Sequence, residues 1–156
     1  MDWIAFFIFL AASGAAAATG SMFQPGQWYE NLDKPSWTPP KLAFPIVWTI
    51  LYILIAVAGA RVVHLEGSGY ALAFWALQIA LNTLWTPIFF GLRDMKAGLV
   101  VILMLWVAVL CTLISLLQVD MIAGLMFVPY LIWVSIASAL NYAVMTRNPD
   151  LKPIRD

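Results

Sequence analysis

Residues 70–90 read YALAFWALQIALNTLWTPIFF, and this stretch decides the class of fold. It contains no Asp, Glu, Lys or Arg over its whole length. An α-helix needs about 20 such residues to cross the hydrocarbon core of a bilayer. Its two carboxamides, Gln78 and Asn82, are four positions apart and therefore lie on one helix face. The stretch predicts a transmembrane helix that carries a polar and aromatic face.

The composition of the whole chain agrees with a membrane environment. The 156 residues are 63% hydrophobic and only 10% charged, with a mean hydropathy of +0.90. Soluble domains carry roughly 25% charged residues, so a water-soluble globule would lack the polar groups to cover its surface. The same composition excludes an intrinsically disordered chain. We therefore expect one integral membrane domain over residues 1–156.

Five segments free of Asp, Glu, Lys and Arg are long enough to span a bilayer. They are residues 3–22, 44–60, 70–90, 97–117 and 121–145. The first is interpreted as a span rather than a cleaved signal peptide, because Asp2 makes its start acidic. Lipid cannot satisfy open sheet edges, so the predicted fold is an all-α integral membrane bundle of five transmembrane helices. Residues 11–20 (AASGAAAATG) predict close helix packing, either within one monomer or in a dimer.

Basic residues are distributed unevenly between the two sides of the predicted bundle. One side holds Arg61 alone, and the other holds Lys34, Lys41, Arg93, Lys96, Arg147, Lys152 and Arg155. The positive-inside rule then places the loop 24–43 and the C-terminus in the cytoplasm. This rule applies to an inner or plasma membrane and need not hold in an outer one. The sequence predicts a multi-pass protein of a bacterial membrane and leaves inner and outer membrane open.

The residues that support several other functions are missing from the sequence. Eight basic residues balance eight acidic ones, so no net field recruits nucleic acid. One Cys (Cys111) and one His (His64) are too few for a metal site of these ligands. No paired carboxylates fall within a span, so acid–base catalysis has no candidate residues. We also expect that the protein requires no cofactor. The spans contain no charged group of the kind that couples ions to transport.

Aromatic and carboxamide side chains recur at helical spacing on three of the spans. They are Trp48 and Tyr52 on the second, Gln78, Asn82, Trp85 and Phe89 on the third, and Trp133, Ala137 and Asn141 on the fifth. At about 1.5 Å per residue, the three sets lie at a similar depth in the half of the bundle near the loop. We therefore predict one aromatic pocket for a flat, largely apolar ligand. Alternatively, Gln78 and Asn82 only hydrogen-bond to neighbouring helices.

The loop of residues 24–43 is longer than most helix–helix connections. Four prolines, at positions 25, 35, 39 and 40, stiffen it. Its aromatic residues Trp28, Tyr29 and Trp37 either anchor the loop at the membrane interface or cover the predicted pocket. We refer to residues 24–43 as the lid.

Several stretches together resemble one known family. They are WYENLDKPSWTPP (28–40), FPIVWTILY (44–52), QIALNTLWTPIFFG (78–91), VPYLIW (128–133) and LN (140–141). This combination is similar to the TspO/MBR family of tryptophan-rich sensory proteins and translocator proteins, also called peripheral-type benzodiazepine receptors. The likeness is strongest to alphaproteobacterial members.

The resemblance implies a five-helix bundle that forms homodimers. It also implies binding of porphyrins (protoporphyrin and haem), cholesterol-like lipids and benzodiazepine or isoquinoline drugs beneath the first loop. The family's ligand contacts correspond to Tyr29, Trp37, Trp48, Tyr52, Asn82, Trp85, Phe89, Trp133 and Ala137. In some bacterial members, the tryptophans that match Trp48 and Trp133 are linked to light-dependent porphyrin breakdown. The family's sterol motif corresponds to residues 140–147.

These observations lead to one expected function and two alternatives. We expect a receptor or sensor that binds tetrapyrroles and regulates their synthesis, with transport as a further role. The first alternative is photo-oxidation of bound protoporphyrin, with Trp48 and Trp133 as the oxidised partners. The second is a passive transporter of tetrapyrroles or lipids, or a scaffold.

Overall fold

The computed structural model describes residues 2–154, and these residues form helices without any strand. The helices are α1 (Trp3–Met22), α2 (Gln27–Glu30), α3 (Ala43–Val62), α4 (Gly69–Thr86), α5 (Met95–Val119), α6 (Met121–Met126) and α7 (Val128–Arg147). A π-helical turn, Pro87–Gly91, continues α4. Five helical segments are long and apolar enough to cross a membrane: α1, α3, α4 with its π turn, α5, and α6 with α7. The expected all-α five-span bundle is confirmed, and every span end lies within two residues of its predicted position.

Three aspartates begin helices at the ends of spans. The side chains of Asp2, Asp94 and Asp120 accept hydrogen bonds from backbone N–H groups two or three residues further along. Each satisfies donors that have no partner within the helix, and each places negative charge at the positive end of the helix dipole. The charged residues that flank the spans therefore also define where α1, α5 and α6 begin.

Two prolines interrupt the last turns of α4 and the last span. Proline has no N–H and its ring displaces the carbonyl four residues earlier. After Pro87 the helix widens, and the Leu92 N–H donates to the Pro87 carbonyl at 2.9 Å in a π pattern. Before Pro129 the span breaks at the buried Phe127, which separates α6 from α7. The fifth span was predicted as one segment and is two helices in line along the chain.

The helices form a ring that is loosely packed at one place. Helix α5 packs against α4, α6 and α7, and α1 packs against α3 and α4. The remaining side of α3 packs closely on α6 but only sparsely on α4 and α7. The core includes Leu51 and Ile55 of α3 and Val109 of α5, all almost fully buried. The sparse contacts of α3 with α4 and α7 leave room for a cavity in the bundle.

Two contacts show which segments share a side of the bundle. The Asp2 carboxylate pairs with His64 at 2.8 Å, so the start of α1 and the turn after α3 lie together. The Asp33 N–H donates to the Asn148 side chain at 3.0 Å, so the lid and the end of α7 lie together. We call these the far side and the lid side. The grouping of loops agrees with the predicted one, although Arg155 lies outside the described residues.

Candidate ligand-binding site

A cavity of about 800 Å³ lies on the lid side of the bundle. Eight of the eleven side chains predicted from sequence line it: Tyr29, Trp48, Tyr52, Asn82, Trp85, Phe89, Ala137 and Asn141. Most of the remaining lining is apolar, and it includes Phe44, Phe90 and Leu140. Its volume and its largely apolar lining are typical of small-molecule sites. Part of each predicted stripe on α3, α4 and α7 therefore lines the same cavity.

Two stacked aromatic pairs form walls of the cavity. Trp48 and Tyr52 of α3 stack with ring centroids 5.4 Å apart and planes 25° apart. Trp85 and Phe89 stack at 5.1 Å and 19°. Each pair is spaced i, i+4, which places both rings on one helix face. Flat apolar walls of this kind suit a planar aromatic ligand.

A chain of hydrogen bonds runs from the cavity wall into the core. The Tyr52 hydroxyl donates to Asn82 Oδ1 at 3.3 Å. Asn82 Nδ2 donates to the Tyr130 hydroxyl at 2.7 Å. The Tyr130 hydroxyl in turn donates to Gln78 Oε1 at 2.9 Å. These four side chains, from α3, α4 and α7, join the helices that otherwise pack only loosely around the cavity.

A second polar contact ties the cavity wall to α5. Trp85 Nε1 donates to Asn141 Oδ1 at 3.3 Å, and Asn141 Nδ2 donates to the Met95 carbonyl at 2.9 Å. These bonds link α4, α5 and α7. Gly98 makes the contact possible, since a Cβ there would lie 3.0 Å from the Phe89 ring and 3.2 Å from Asn141 Oδ1. Asn141 therefore positions Trp85 as well as lining the cavity.

Three of the predicted site residues lie outside the cavity lining. Gln78 is fully buried one layer behind Asn82. Trp133 is buried and packs edge-on against Phe44, with centroids 5.4 Å apart, so that the ring of Phe44 lies on the cavity side. Trp37 is 51% exposed on the lid. A direct ligand contact by any of the three stays a prediction.

The lid packs against the π turn through two aromatic side chains. Trp28 lies edge-on to Phe89 at 5.9 Å, and Tyr29 lies edge-on to Phe90 at 5.4 Å. Burial raises the pKa of the Tyr29 hydroxyl above its usual value, which keeps it protonated. Of the two interpretations for the lid aromatics, Tyr29 covers the cavity, whereas Trp37 is exposed as an interfacial anchor would be.

Charged groups gather where the lid meets the cavity. Lys34 Nζ donates to the carbonyls of Tyr29, Glu30 and Leu32 at 2.6, 2.8 and 3.1 Å. Lys41 pairs with Glu30, and this hydrogen bond and charge hold the pKa of the Glu30 carboxyl below its ordinary value. All three charged side chains line the cavity. Two cations and one anion leave a positive rim around an apolar space.

Sequence reasoning missed the contribution of α1 to this site. Ala16, Ala17, Gly20 and Ser21 line the cavity on one side. The run of small residues at 11–20 was interpreted as a packing surface. Part of this run instead lines the cavity, and its small side chains leave the cavity wide. The lack of bulky side chains on this helix is the signal from which the role of α1 could have been predicted.

The possible sterol segment, residues 140–147, divides between two environments. Leu140 is buried and lines the cavity, whereas Tyr142 is 57% exposed. Arg147 pairs with Asp33 of the lid at 3.5 Å. The three residues therefore do not form one continuous surface.

Among residues 2–154, no group of three or more His, Cys, Asp or Glu side chains is placed to hold a metal ion. The titratable side chains of the cavity are two tyrosines within hydrogen-bonding or packing contacts and the three rim charges. The cavity offers an apolar shape, aromatic surface and a few hydrogen-bonding groups.

Fold and site together define a class of protein: a five-span membrane protein that encloses an aromatic cavity beneath a structured loop. The sequence profile of the TspO/MBR family matches residues 5–147. The chain belongs to this family.

Several relatives match over nearly their full length. The tryptophan-rich sensory protein of Cereibacter sphaeroides is 51% identical over 148 residues, which cover 95% of this chain and 94% of that one. Protein CrtK of Rhodobacter capsulatus is 49% identical, with 99% of each chain covered. The human translocator protein is 35% identical, with 94% of this chain and 91% of that one covered.

Proposed function

We propose that this protein is a membrane receptor that senses tetrapyrroles, such as protoporphyrin and haem, by binding them in the cavity beneath the lid. The observation that carries the proposal is the pair of aromatic stacks, Trp48–Tyr52 and Trp85–Phe89, on the walls of an 800 Å³ space. Planar macrocycles gain most from such walls. Lys34, Lys41 and Glu30 give the rim a net positive charge, which favours ligands that carry carboxylates.

The printed names of the relatives support the same class of function. One relative is called a sensory protein and another a translocator protein. Sensing requires a binding site, and translocation requires a site that opens. A ligand cavity beneath a loop fits both, and binding is the step they share.

The test is a titration of purified protein with protoporphyrin, followed by the shift of its main absorption band. Trp48→Leu removes one stacked wall and keeps an apolar side chain, so we expect binding about 10-fold weaker. Trp3→Leu is the matched control, because Trp3 is 61% exposed on the far side. Equal affinity of wild type and Trp48→Leu would contradict the proposal.

A second candidate function, light-dependent breakdown of bound protoporphyrin, is favoured by the position of Trp48 in the cavity wall. Trp133 lies behind Phe44 and would take part without touching the ligand. Illumination of complex and free porphyrin in air, each with an anaerobic control, tests this activity. Equal rates of porphyrin loss in the two samples would exclude it.

We also propose that the lid side faces the cytoplasm of a bacterial inner membrane, on the basis of its excess of Lys and Arg. Two variants, Glu66→Cys and Asp150→Cys, each in a Cys111→Ser background, place a single cysteine on one side of the membrane or the other. A membrane-impermeant maleimide applied to spheroplasts should label the cysteine at position 66 and leave that at position 150 unlabelled. The reverse pattern would invert the orientation.

A further inference from the structure

The hydrogen-bonded chain behind the cavity wall ends at a group without a partner. Gln78 is fully buried, and its Nε2 has no hydrogen-bond partner within residues 2–154. A buried amide with unused donors is costly, and a leucine would fill the space without that cost. The presence of a carboxamide at the end of the chain therefore needs an explanation other than packing.

The explanation lies in the fact that this chain of hydrogen bonds can run in either direction. A hydroxyl group both donates and accepts a hydrogen bond, and a carboxamide carries a donor and an acceptor on opposite sides. Every link from Tyr52 to Gln78 can therefore run in either direction. Reversal requires only rotation of two hydroxyl hydrogens and a half-turn of each carboxamide.

The two directions present different groups to the cavity. In the observed direction, Tyr52 donates to Asn82, and its oxygen lone pairs remain for a ligand that donates. In the reversed direction, Gln78 donates to Tyr130, Tyr130 to Asn82, and Asn82 to Tyr52. The Tyr52 hydrogen is then free to point into the cavity, toward a ligand that accepts. Each direction leaves one polar group of Gln78 unpaired, so neither is strongly favoured before a ligand binds.

We propose that Gln78 is a positioning residue that allows the cavity to accept both hydrogen-bond donors and acceptors at the same point of a planar aromatic ligand. Gln78 does not touch the ligand and acts through Tyr130 and Asn82 on the Tyr52 hydroxyl. The proposal rests on the proposed function, since it assigns the ligand class of the same cavity. The class is planar polycycles that carry an N–H or a C=O group at one edge.

The substitution Gln78→Met should hold the chain of hydrogen bonds in the reversed direction, in which Asn82 donates to Tyr52. Methionine is close to glutamine in length and is tolerated in apolar cores. Without the Gln78 acceptor, the Tyr130 hydroxyl hydrogen finds its partner only at Asn82 Oδ1. Asn82 then donates to Tyr52, and Tyr52 is left as a donor alone. The variant should keep its affinity for ligands that accept a hydrogen bond and lose its preference for ligands that donate one.

Three planar tricyclic probes of matched shape separate these effects. Carbazole carries an N–H donor, 9-fluorenone carries a C=O acceptor, and fluorene carries neither. Binding of each to the purified full chain is measured by displacement of protoporphyrin, and affinities are compared as ratios to fluorene. Partition of a probe into detergent is the same for every variant, so it cancels when the ratios are compared.

In the wild type, carbazole and fluorenone should both bind tighter than fluorene, each by roughly 2- to 10-fold. In Gln78→Met, the fluorenone advantage should remain and the carbazole advantage should disappear. Ser135→Ala is the control, because it removes the 2.8 Å bond from Trp106 at a site outside the cavity. That variant should keep both ratios.

A second set of variants keeps the proposal testable if Gln78→Met is poorly folded. Tyr130→Phe cuts the chain, so Asn82 and Tyr52 rotate independently of Gln78, and both advantages should persist. Addition of Gln78→Leu to Tyr130→Phe should then leave the ratios unchanged. A change in the carbazole ratio on that addition would overturn the proposal.

The outcomes also separate this inference from the proposed function. If all three probes displace protoporphyrin but the wild type shows no preference, or if Gln78→Met changes all affinities equally, the cavity binds ligands and Gln78 is merely structural. If no probe displaces protoporphyrin and protoporphyrin itself does not bind, the proposed function fails and the inference fails with it.

Discussion

At the scale of single residues, a very close contact between α1 and α3 depends on one missing side chain. The Phe9 ring lies against Gly59, where a Cβ would come within 2.9 Å of the ring carbons. Phe9 cannot easily withdraw, because it also packs edge-on against Trp75 at 4.6 Å. Trp75 is itself held by its bond to the Ile55 carbonyl at 3.0 Å. Gly59 therefore sets the distance between the two helices.

Gly59→Ala should destabilise the protein by about 1–3 kcal/mol, because the added methyl group forces α1 and Phe9 outward. Thermal unfolding in detergent, followed by circular dichroism, measures the effect. Gly14→Ala in the same bundle is the control, since no described heavy atom lies within 4 Å of a Cβ at that position. An unfolding temperature of Gly59→Ala equal to that of Gly14→Ala would show that the helices adjust freely.

A second residue-level prediction concerns the ion pair on the far side. Asp120 accepts a bond from the Ala123 N–H and pairs with Arg61 at 2.8 Å, and these bonds lower the pKa of its carboxyl below the ordinary value. Because the folded-state pKa is lowered, the stabilisation is complete above the unfolded value of about 4 and is lost as the pH falls through the lowered value.

The unfolding temperature of the wild type should thus fall between about pH 5 and pH 3. Asp120→Asn keeps a side chain that can begin α6 but loses the charge, so its unfolding temperature should depend less on pH over that range. Glu66→Gln, in the exposed turn of the same side, serves as the control and should keep the wild-type dependence. Parallel curves for wild type and Asp120→Asn would contradict the assignment.

The helix face on which each site residue lies could be predicted from sequence, but the side chains that it contacts on other helices could not. Spacing of i, i+4 predicted that Trp48 and Tyr52 share a face, and they are found stacked. The same reasoning directed Trp133 toward the pocket, where Phe44 lies over it. Which side chain of a helix distant in sequence covers an indole depends on how the helices cross, and periodicity carries no information about crossing.

At the scale of elements, the lid is a folded unit whose short helix is closed by one ammonium group. Lys34 donates to three carbonyls at and just after the end of α2, where helix carbonyls lack a donor from a further turn. The Tyr29 carbonyl also accepts from the Leu32 N–H at 3.4 Å. The buried Leu32 and the contact of Tyr29 with Phe90 then fix this unit over the π turn. Lys34 therefore stabilises the conformation in which the lid covers the cavity.

Lys34→Met should loosen the lid while the spans remain folded. Charge-assisted bonds are each worth about 1.5–3 kcal/mol, so the rate of protease cleavage within residues 24–43 should rise by roughly 10-fold or more. Limited proteolysis in detergent, analysed by mass spectrometry, measures this rate. Lys152→Met, in the exposed C-terminal segment, is the control. Unchanged cleavage of Lys34→Met would show that other contacts hold the lid.

The existence and the ends of the spans were predictable because lipid imposes a length and excludes charge. The interruptions at Pro87 and Phe127 were not predicted. Proline indicates that a regular helix cannot continue, but a π turn and a break both satisfy that requirement. The choice between them depends on packing, as with Phe89, which is buried against Trp85 and the lid.

At the scale of the whole molecule, the ring of helices has an opening between α1 and α3 on the lid side. Gly20 and Ala17 of α1 and Thr49 and Pro45 of α3 line the cavity and are also exposed on the surface. At about 1.5 Å per residue, Thr49 lies roughly 9 Å along α3 from its first residue. The opening therefore reaches a depth where a bilayer would be in contact with it.

Gly20→Phe should narrow this opening. We expect the association rate of protoporphyrin to fall by about 10-fold, with a smaller change in affinity because the aromatic walls are untouched. Stopped-flow mixing of protoporphyrin with protein in lipid nanodiscs measures the rate. Gly14→Phe is the matched control, on the same helix but outside the cavity lining. Equal rates for the two variants would indicate that ligands pass beneath the lid instead.

The two hydrogen bonds between Asn148 and the lid have a practical consequence for the design of shortened or tagged proteins. The Asn148 side chain accepts from the Asp33 N–H and donates to the Asp33 carbonyl, both at 3.0 Å. A shortened chain that stops at position 147 would retain the five membrane-crossing segments of the described residues but would lose both hydrogen bonds from Asn148 to the lid. Affinity tags or reporters fused directly after α7 would strain the same hydrogen bonds, so a spacer beyond residue 154 is the safer attachment point for ligand studies.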